Sequence, residues 1–206
     1  MPARQLILAT GNRHKLAEMA ALLPGLALRP LPQGIAMPPE DGDSFAANAL
    51  IKARAVRAAL GGDEAVAADD SGIEAEDLGG APGIYSARYA GEGADDDANL
   101  DKLLREVDAA GGGRRAAYVC ALALVEADGS ERVFEGRCEG RLLRERRGSG
   151  GFGYDPIFVP DDLPAGDGRT MAELEPAEKN AISHRGRAAR ALAAHLGLTA
   201  GAGDGS

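Results

Sequence analysis

Asp69 and Asp70 are adjacent carboxylates at the end of the apolar run Ala65 to Ala68, and Ser71-Gly72 follow at once. A strand that ends in acids places them at the edge of a sheet, where open α/β sheets bind ligands. Acids there can hold a hard cation such as Mg2+ or take a proton from water. Taken alone, Asp-Asp-Ser-Gly reads equally well as a polar turn, because all four residues are turn formers. The phrase continues through Gly79-Gly80-Ala81-Pro82-Gly83 to Ile84-Tyr85-Ser86-Ala87-Arg88-Tyr89.

Three other segments carry residues suited to a phosphorylated ligand. Leu6 to Ala9 runs into Thr10-Gly11-Asn12-Arg13-His14-Lys15 and then a helical pattern. Amide groups at such a helix start attract phosphate, and Lys15 adds a point charge. The spacing is neither that of a P-loop nor that of a dinucleotide fingerprint. Gly150-Gly151-Phe152-Gly153-Tyr154-Asp155-Pro156-Ile157-Phe158 is a glycine-rich loop with two aromatics and an acid, leading into an apolar strand. Glu178-Lys179-Asn180-Ala181-Ile182-Ser183-His184-Arg185-Gly186 precedes the last helix.

The intervening periodicity supplies the elements that must position these residues. Leu6 to Ala9, Leu26 to Leu31 and Ala65 to Ala68 are predicted strands. His14 to Leu23 is predicted as a helix with Leu16, Met19, Ala20 and Leu23 inward, stopped by Pro24-Gly25. Ser44 caps a predicted helix to Leu60 with Phe45, Ala49, Ala53, Val56 and Leu60 inward. Asn48 and Lys52, four apart on that helix, share a face beside the Pro39-Glu40-Asp41 loop. Asp95-Asp96-Asp97 opens a helix to Val107, and acids at a helix start fit its dipole. Ala116 to Glu126 and Glu131 to Leu142 form a predicted hairpin. Pro156 to Val159 is a further strand, and Ser183 caps the last helix through Leu196. Strands alternate with helices early and an antiparallel pair follows late, so the fold class is α/β, a mixed sheet with helices on both faces. Residues 1–200 form one domain, and Gly201 to Ser206 is expected to be a disordered tail.

Composition narrows the function classes. The net charge of −9 over 206 residues argues against non-specific nucleic-acid binding. An anionic ligand then needs local positive charge and a metal. Four of the 23 basic residues are lysines, Lys15, Lys52, Lys102 and Lys179; in an arginine-rich chain, a retained lysine hints at a specific position. Cys120 reads as a buried thiol, and no disulfide is expected. No signal peptide and no apolar run of membrane-spanning length is found, so a cytoplasmic protein without membrane contact is expected.

The four motifs, TGNxxK, DDSG…GGAPGIYSARYAG, GGFGYDPIF and EKNAISHRG, in this order, resemble the inosine triphosphate pyrophosphatase family, from about Leu6 to about Leu196. That resemblance implies a long curved mixed sheet, two lobes with an active-site cleft between them, and a homodimer. It implies hydrolysis of non-canonical purine nucleoside triphosphates (ITP, dITP, XTP) to monophosphate and pyrophosphate, with Mg2+. Asp70 matches the catalytic aspartate, general base and metal ligand, with Asp69 supporting it, and Glu40 matches the acidic metal position. The family often has Glu before the Asn of the following helix; this chain has Ala47 there. Thr10, Gly11, Asn12, Arg13, His14, Lys15, Lys52, Ser71 and Lys179 match positions that surround the phosphates. Phe152, in a loop platform with Gly153 and Tyr154 beside it, can stack on the base, since every base offers a π-face, and Asp155 can accept from a ring N–H. His184 and Arg185 match the base-recognition pair. Donors aimed at a 6-oxo group face the amino group of adenine unpaired, which makes rejection large. A pyrophosphatase for modified pyrimidine nucleotides and a non-catalytic nucleotide-binding module are the alternatives.

Overall fold

A computed structural model of the chain describes residues 4–198. The strands are β1 (Gln5–Leu8), β2 (Ala27–Pro30), β3 (Val66–Ala75), β4 (Arg115–Val125), β5 (Glu131–Leu142) and β6 (Phe158–Pro160). The helices are α1 (Arg13–Leu22), α2 (Phe45–Ala59), α3 (Asp96–Ala110), α4 (Pro176–Ile182) and α5 (His184–His195). All six strands join one sheet in the order β2-β1-β3-β4-β5-β6. β1 runs parallel to β2 and to β3, with Ile7 opposite Val66 and Leu8 opposite Ala67. β5 and β6 are antiparallel. The five residues between β4 and β5, closed by the Glu126 N–H to the Ser130 carbonyl at 2.9 Å, are too few for a parallel crossover. The sheet is therefore mixed, as the alternation of elements predicts.

The chain forms two compact units. The first takes the chain through Asp70, then Ala121–Glu135, and resumes at Arg185; the second takes Ser71–Cys120 and Gly136–His184. In the first unit Leu6, Ile7 and Leu8 of β1, Val66 to Ala68 of β3, and Ala49, Ala53 and Val56 of α2 are fully buried. The second has its own core, in which Ile73, Leu100, Leu103, Val107, Tyr118, Ile157, Phe158 and Met171 pack together. Ala49 and Ala53 of α2 and Ala67 and Ala68 of β3 are all fully buried alanines, so small side chains fill this part of the core.

Several elements differ from the sequence reading. β3 does not stop at Ala68 but runs through both aspartates and Ser71-Gly72 to Ala75. A polar turn is avoided because both acids find cationic partners, which offsets their burial. Gly72 is what lets the strand continue: a Cβ there meets the Ser86 hydroxyl at 2.3 Å and the Gly83 carbonyl at 2.5 Å. The turn-rich phrase after β3 holds two short 3-10 segments, Glu76–Leu78 and Gly83–Arg88. Ala20 is exposed, so the buried stripe of α1 is narrower than expected, and Leu60 is half-buried. Pro156 and Ile157 belong to a 3-10 turn, and β6 begins at Phe158. The segment before the last helix is itself helical, as α4, started by Pro176 at its first position and by Glu178 accepting from the Glu175 N–H at 3.0 Å. Cys120 and Cys138 are both buried. The tail expected over Gly201–Ser206 lies outside the described residues.

Candidate functional site

Among the described residues, each unit holds a cluster of buried charge. In the first unit the cluster is built on the two aspartates of β3, which are 2% and 6% exposed. Alternation along the strand gives them separate partners. Asp69 Oδ2 lies 2.9 Å from Lys15 Nζ and 3.4 Å from Arg185 Nη2, and Arg185 also pairs with Glu18 through Nη1. Asp70 Oδ1 accepts from Lys52 Nζ at 3.0 Å and its Oδ2 from Asn48 Nδ2 at 3.2 Å. Lys52 Nζ also donates to Glu40 Oε1 at 2.8 Å, so one ammonium serves two carboxylates.

The helix α2 brings Asn48 and Lys52 to Asp70 because they stand one turn apart on its buried face. Asn48 fixes the Glu40 loop as well, since its Oδ1 accepts from the Gly42 N–H at 2.8 Å. A Cβ at Gly42 meets that oxygen and the Ala47 Cβ, each at 2.8 Å, so the loop crosses the helix start closely. Ala47 thus contributes only a methyl group beside this loop.

These contacts set the charge states. Burial pushes the Asp70 carboxyl above its ordinary range, and Glu40 adds to the push while Lys52 opposes it. Burial also works to raise Asp69, but Lys15, Arg185 and Lys52 outweigh it and hold that carboxyl well below the usual range. Burial alone would lower Lys52; the carboxylates of Asp70, Asp69 and Glu40 raise it, so it stays an ammonium. The cluster thus contains one acid locked as an anion and a neighbour whose proton affinity is increased, the property a general base needs.

The turn before α1 is ordered by its own side chains. Thr10 Oγ1 accepts from the Asn12 N–H at 3.1 Å, and Asn12 Oδ1 accepts from the amides of His14 at 2.9 Å and Lys15 at 3.2 Å. Asn12 is the N-cap of α1 and occupies two of the amides that an anion at the helix start would use. Gly11, Arg13 and His14 are exposed.

In the second unit the cluster centres on Asp155, which is 3% exposed. Its Oδ2 accepts from Lys179 Nζ at 2.8 Å and from the Phe152 N–H at 2.9 Å, and its Oδ1 from the Tyr118 hydroxyl at 3.2 Å. Lys179 Nζ also lies 5.1 Å from the centroid of the half-buried Phe152 ring. Tyr118 in turn stacks on His184, with centroids 4.7 Å apart and planes 7° from parallel. Gly151 allows the loop to fold over Asp155: its φ is +69°, and a Cβ would fall 2.0 Å from Asp155 Oδ2. Gly153 is anchored by its N–H to Asp96 Oδ2 at 2.8 Å. Tyr154 is buried in the core, with its hydroxyl given to the Ser86 carbonyl at 2.7 Å, so Phe152 is the ring of this loop that is available to a ligand. Ser71 is half-buried on β3.

The acids and lysines singled out in the sequence as site residues fall in these clusters, as does Asn48, whose face on the helix the spacing gives without its partner; Glu18 and Tyr118 are not singled out there. Asn48 carried a signal, as an amide one turn before a lysine on an otherwise apolar face. Tyr118 carried none, since a tyrosine in an apolar strand reads as core. Lys179, expected among phosphate ligands, lies with Asp155 and Phe152. The adjacent His184 and Arg185 have different partners, an aromatic ring and two carboxylates.

Among the described residues no group of three or more His, Cys, Asp or Glu side chains is placed to hold a metal on its own. Glu40 and Asp70, joined through Lys52, are an all-oxygen pair. That donor set suits Mg2+, which is commonly held by one or two carboxylates with substrate phosphates and water completing its shell.

The model of the Ham1 family matches residues 6–195. A dITP/XTP pyrophosphatase of Streptomyces coelicolor is 49% identical, over 91% of this chain and 94% of that protein. One of Mycolicibacterium paratuberculosis is 50% identical, over 91% of this chain and 93% of its own length. Among solved structures, a HAM1 protein from Coxiella burnetii superposes with a TM-score of 0.83 at 41% identity, covering 94% of this chain and 98% of that one.

Proposed function

Because the chain belongs to the Ham1 family, we propose that it hydrolyses non-canonical purine nucleoside triphosphates, ITP, dITP and XTP, to monophosphate and pyrophosphate. It is a nucleoside triphosphate pyrophosphatase. The observation that supports the reading best is the buried pair of aspartates on β3, one held as an anion and one raised in proton affinity.

In this reading the cluster of the first unit handles the triphosphate. Asp70 takes the proton of the water that attacks the α-phosphorus. Asn48 and Lys52 hold its carboxylate in one orientation, so that the lone pair facing water is fixed before substrate arrives. Lys52 and Lys15 then share their charge with phosphate oxygens, which neutralises the anion in a site largely removed from water. Glu40 and Asp70 would hold Mg2+, which would supply further neutralisation of the triphosphate. Asp69 keeps Lys15 and Arg185 in place and stays ionised throughout.

The cluster of the second unit handles the base. Phe152 stacks on the purine, Asp155 accepts from a ring N–H, and Lys179 holds both of them. His184 and Arg185 donate toward the 6-oxo group, which adenine lacks. The family resemblance implies a homodimer, which light scattering checks, and the cytoplasm is the compartment expected for it.

Release of pyrophosphate from ITP, ATP and dTTP tests the whole reading. Rapid release from ITP with little from ATP or dTTP is expected. Preference for a pyrimidine triphosphate, or binding without release, overturns it in favour of one of the two alternatives.

A further inference from the structure

We infer that Tyr118 is a positioning residue for purine recognition, holding Asp155 through its hydroxyl and His184 through its ring. The inference rests on the proposed function and extends its base-reading cluster by a residue that touches no substrate itself. Tyr118 sits inside β4, is 7% exposed, and packs edge-on against Phe158 with centroids 4.7 Å apart. Packing alone would be served by phenylalanine, and a buried hydroxyl costs free energy unless it is bonded. Here the hydroxyl reaches Asp155 Oδ1 at 3.2 Å.

That contact matters because of what the other oxygen does. Oδ2 of the same carboxylate takes the Phe152 N–H and Lys179 Nζ, which together place the Phe152 ring. A carboxylate gripped at one oxygen can still rotate about its own axis. The Tyr118 hydroxyl at the second oxygen fixes its plane, and so fixes the orientation in which Oδ2 meets Phe152 and Lys179. The close passage of Gly151, whose Cβ would lie 2.0 Å from Oδ2, leaves little room for any other arrangement. On its other side the Tyr118 ring lies nearly parallel to the His184 imidazole, which restrains that ring too. One side chain therefore aligns two groups assigned to the base, and none assigned to the triphosphate.

The test compares wild type, Tyr118→Phe and Tyr118→Leu. Tyr118→Phe keeps both ring contacts and removes only the hydroxyl; Tyr118→Leu removes the stack as well. The readouts are kcat and KM for ITP, and inhibition by inorganic tripolyphosphate, which has no base. For Tyr118→Phe we expect KM for ITP to rise about 5-fold with kcat within about 2-fold. A full charge-assisted hydrogen bond is worth roughly ten-fold or more, and here it acts through Asp155. Tripolyphosphate inhibition stays as in wild type. Tyr118→Leu raises KM further, and phenylalanine at the position recovers part of that loss. Should the leucine variant fail to fold, the phenylalanine variant decides alone. A wild-type KM in Tyr118→Phe overturns the inference. So does a parallel loss of ITP and tripolyphosphate affinity, which marks a general structural defect. A wild-type enzyme that releases no pyrophosphate from ITP overturns the proposed function and this inference together, whereas an unaffected Tyr118→Phe overturns the inference alone.

Discussion

The clusters around Asp70 and around Asp155 both bury a carboxylate against a lysine, yet they are built on different principles. Lys52 touches Asp70 at 3.0 Å and Lys179 touches Asp155 at 2.8 Å. Around Asp70 charge is shared: beside the neutral amide of Asn48, Lys52 serves Asp70 and Glu40 together, and the neighbouring Asp69 is matched by Lys15 and Arg185. Around Asp155 the lysine is joined by a neutral hydroxyl, a backbone amide and an aromatic ring. Shared ammonium groups can pass from carboxylate to phosphate as a ligand arrives. Fixed neutral donors cannot follow a charge, but they hold a geometry. The first arrangement suits a multiply charged group undergoing reaction, the second a planar group that must be recognised by its edges.

The largest effects should come from the first cluster. Exhaustive chelation should abolish pyrophosphate release, and Mg2+ should restore it, because Lys15 and Lys52 are already matched by Asp69, Asp70 and Glu40 and cannot alone neutralise a triphosphate. Full activity after chelation removes the metal from the reading. Glu40→Gln should raise the Mg2+ concentration needed for half-maximal rate; an unchanged requirement shows that Glu40 is not a ligand and that the methyl group of Ala47 marks a rearranged site. Asp70→Asn keeps the contact with Asn48 in shape but removes the base, and should lower kcat at least about 100-fold. Near wild-type turnover in that variant breaks the assignment of chemistry to this cluster.

Arg185 is where the comparison is most easily broken. Its partners are the charges of the first unit, Asp69 and Glu18, while the family resemblance assigns it to the base. If it exchanges a carboxylate for the 6-oxo group when substrate binds, Arg185→Ala should narrow the ratio of kcat/KM for ITP over ATP about 10-fold, the worth of a charged hydrogen bond. Phe152→Ala should lower both substrates together, because stacking ignores the 6-substituent. Equal losses on ITP and ATP in Arg185→Ala would assign it to the charged cluster, and discrimination would then fall to His184 and Asp155.

Much of this contrast was legible in the residues. Three of the four lysines in an arginine-rich chain each end on a buried aspartate, Lys15 on Asp69, Lys52 on Asp70 and Lys179 on Asp155. The i, i+4 spacing of Asn48 and Lys52 gave the face of α2 that meets Asp70. The course of β3 is not legible, because the apolar run ends at Ala68 and the ion pairs that permit acids inside a strand come from residues distant in sequence. α4 was hidden by its length of 7 residues: a helix that short shows no period, and Pro176 reads as a turn unless the Glu175–Glu178 contact is known. Tyr118 was illegible for a different reason. Nothing local separates a tyrosine that fills a core from one whose hydroxyl meets a carboxylate 37 residues away.

The smallest expected effect concerns stability and probes whether Asp69 is held as an anion for structural reasons. Its folded pKa lies below that of an unfolded aspartate: burial pushes it upward, but Lys15, then Arg185 and Lys52, outweigh burial. A depressed carboxylate contributes stability that is fully present above the unfolded value, near 4, and is lost as pH falls through the folded value. Lys15→Met removes the strongest of the opposing charges but leaves Arg185 in place. The loss at pH 7 should therefore be about 1 kcal/mol, below that of a fully broken buried pair, or a drop of roughly 2–4 °C in Tm for a chain of this size. The sign of the pH dependence follows: the unfolded state is common to both proteins, so the Tm gap should persist from neutral pH down through the ordinary carboxylate range, where Arg185 and Lys52 still hold Asp69 as an anion in the variant, and should close only at more acid pH, as Asp69 is protonated in the folded state and what Lys15 contributed is erased. A Lys15→Met loss that is unchanged in an Asp69→Asn background would mean that Lys15 stabilises α1 by some route other than Asp69. The charged cluster would then be arranged for its ligand alone, with no share in holding the first unit together.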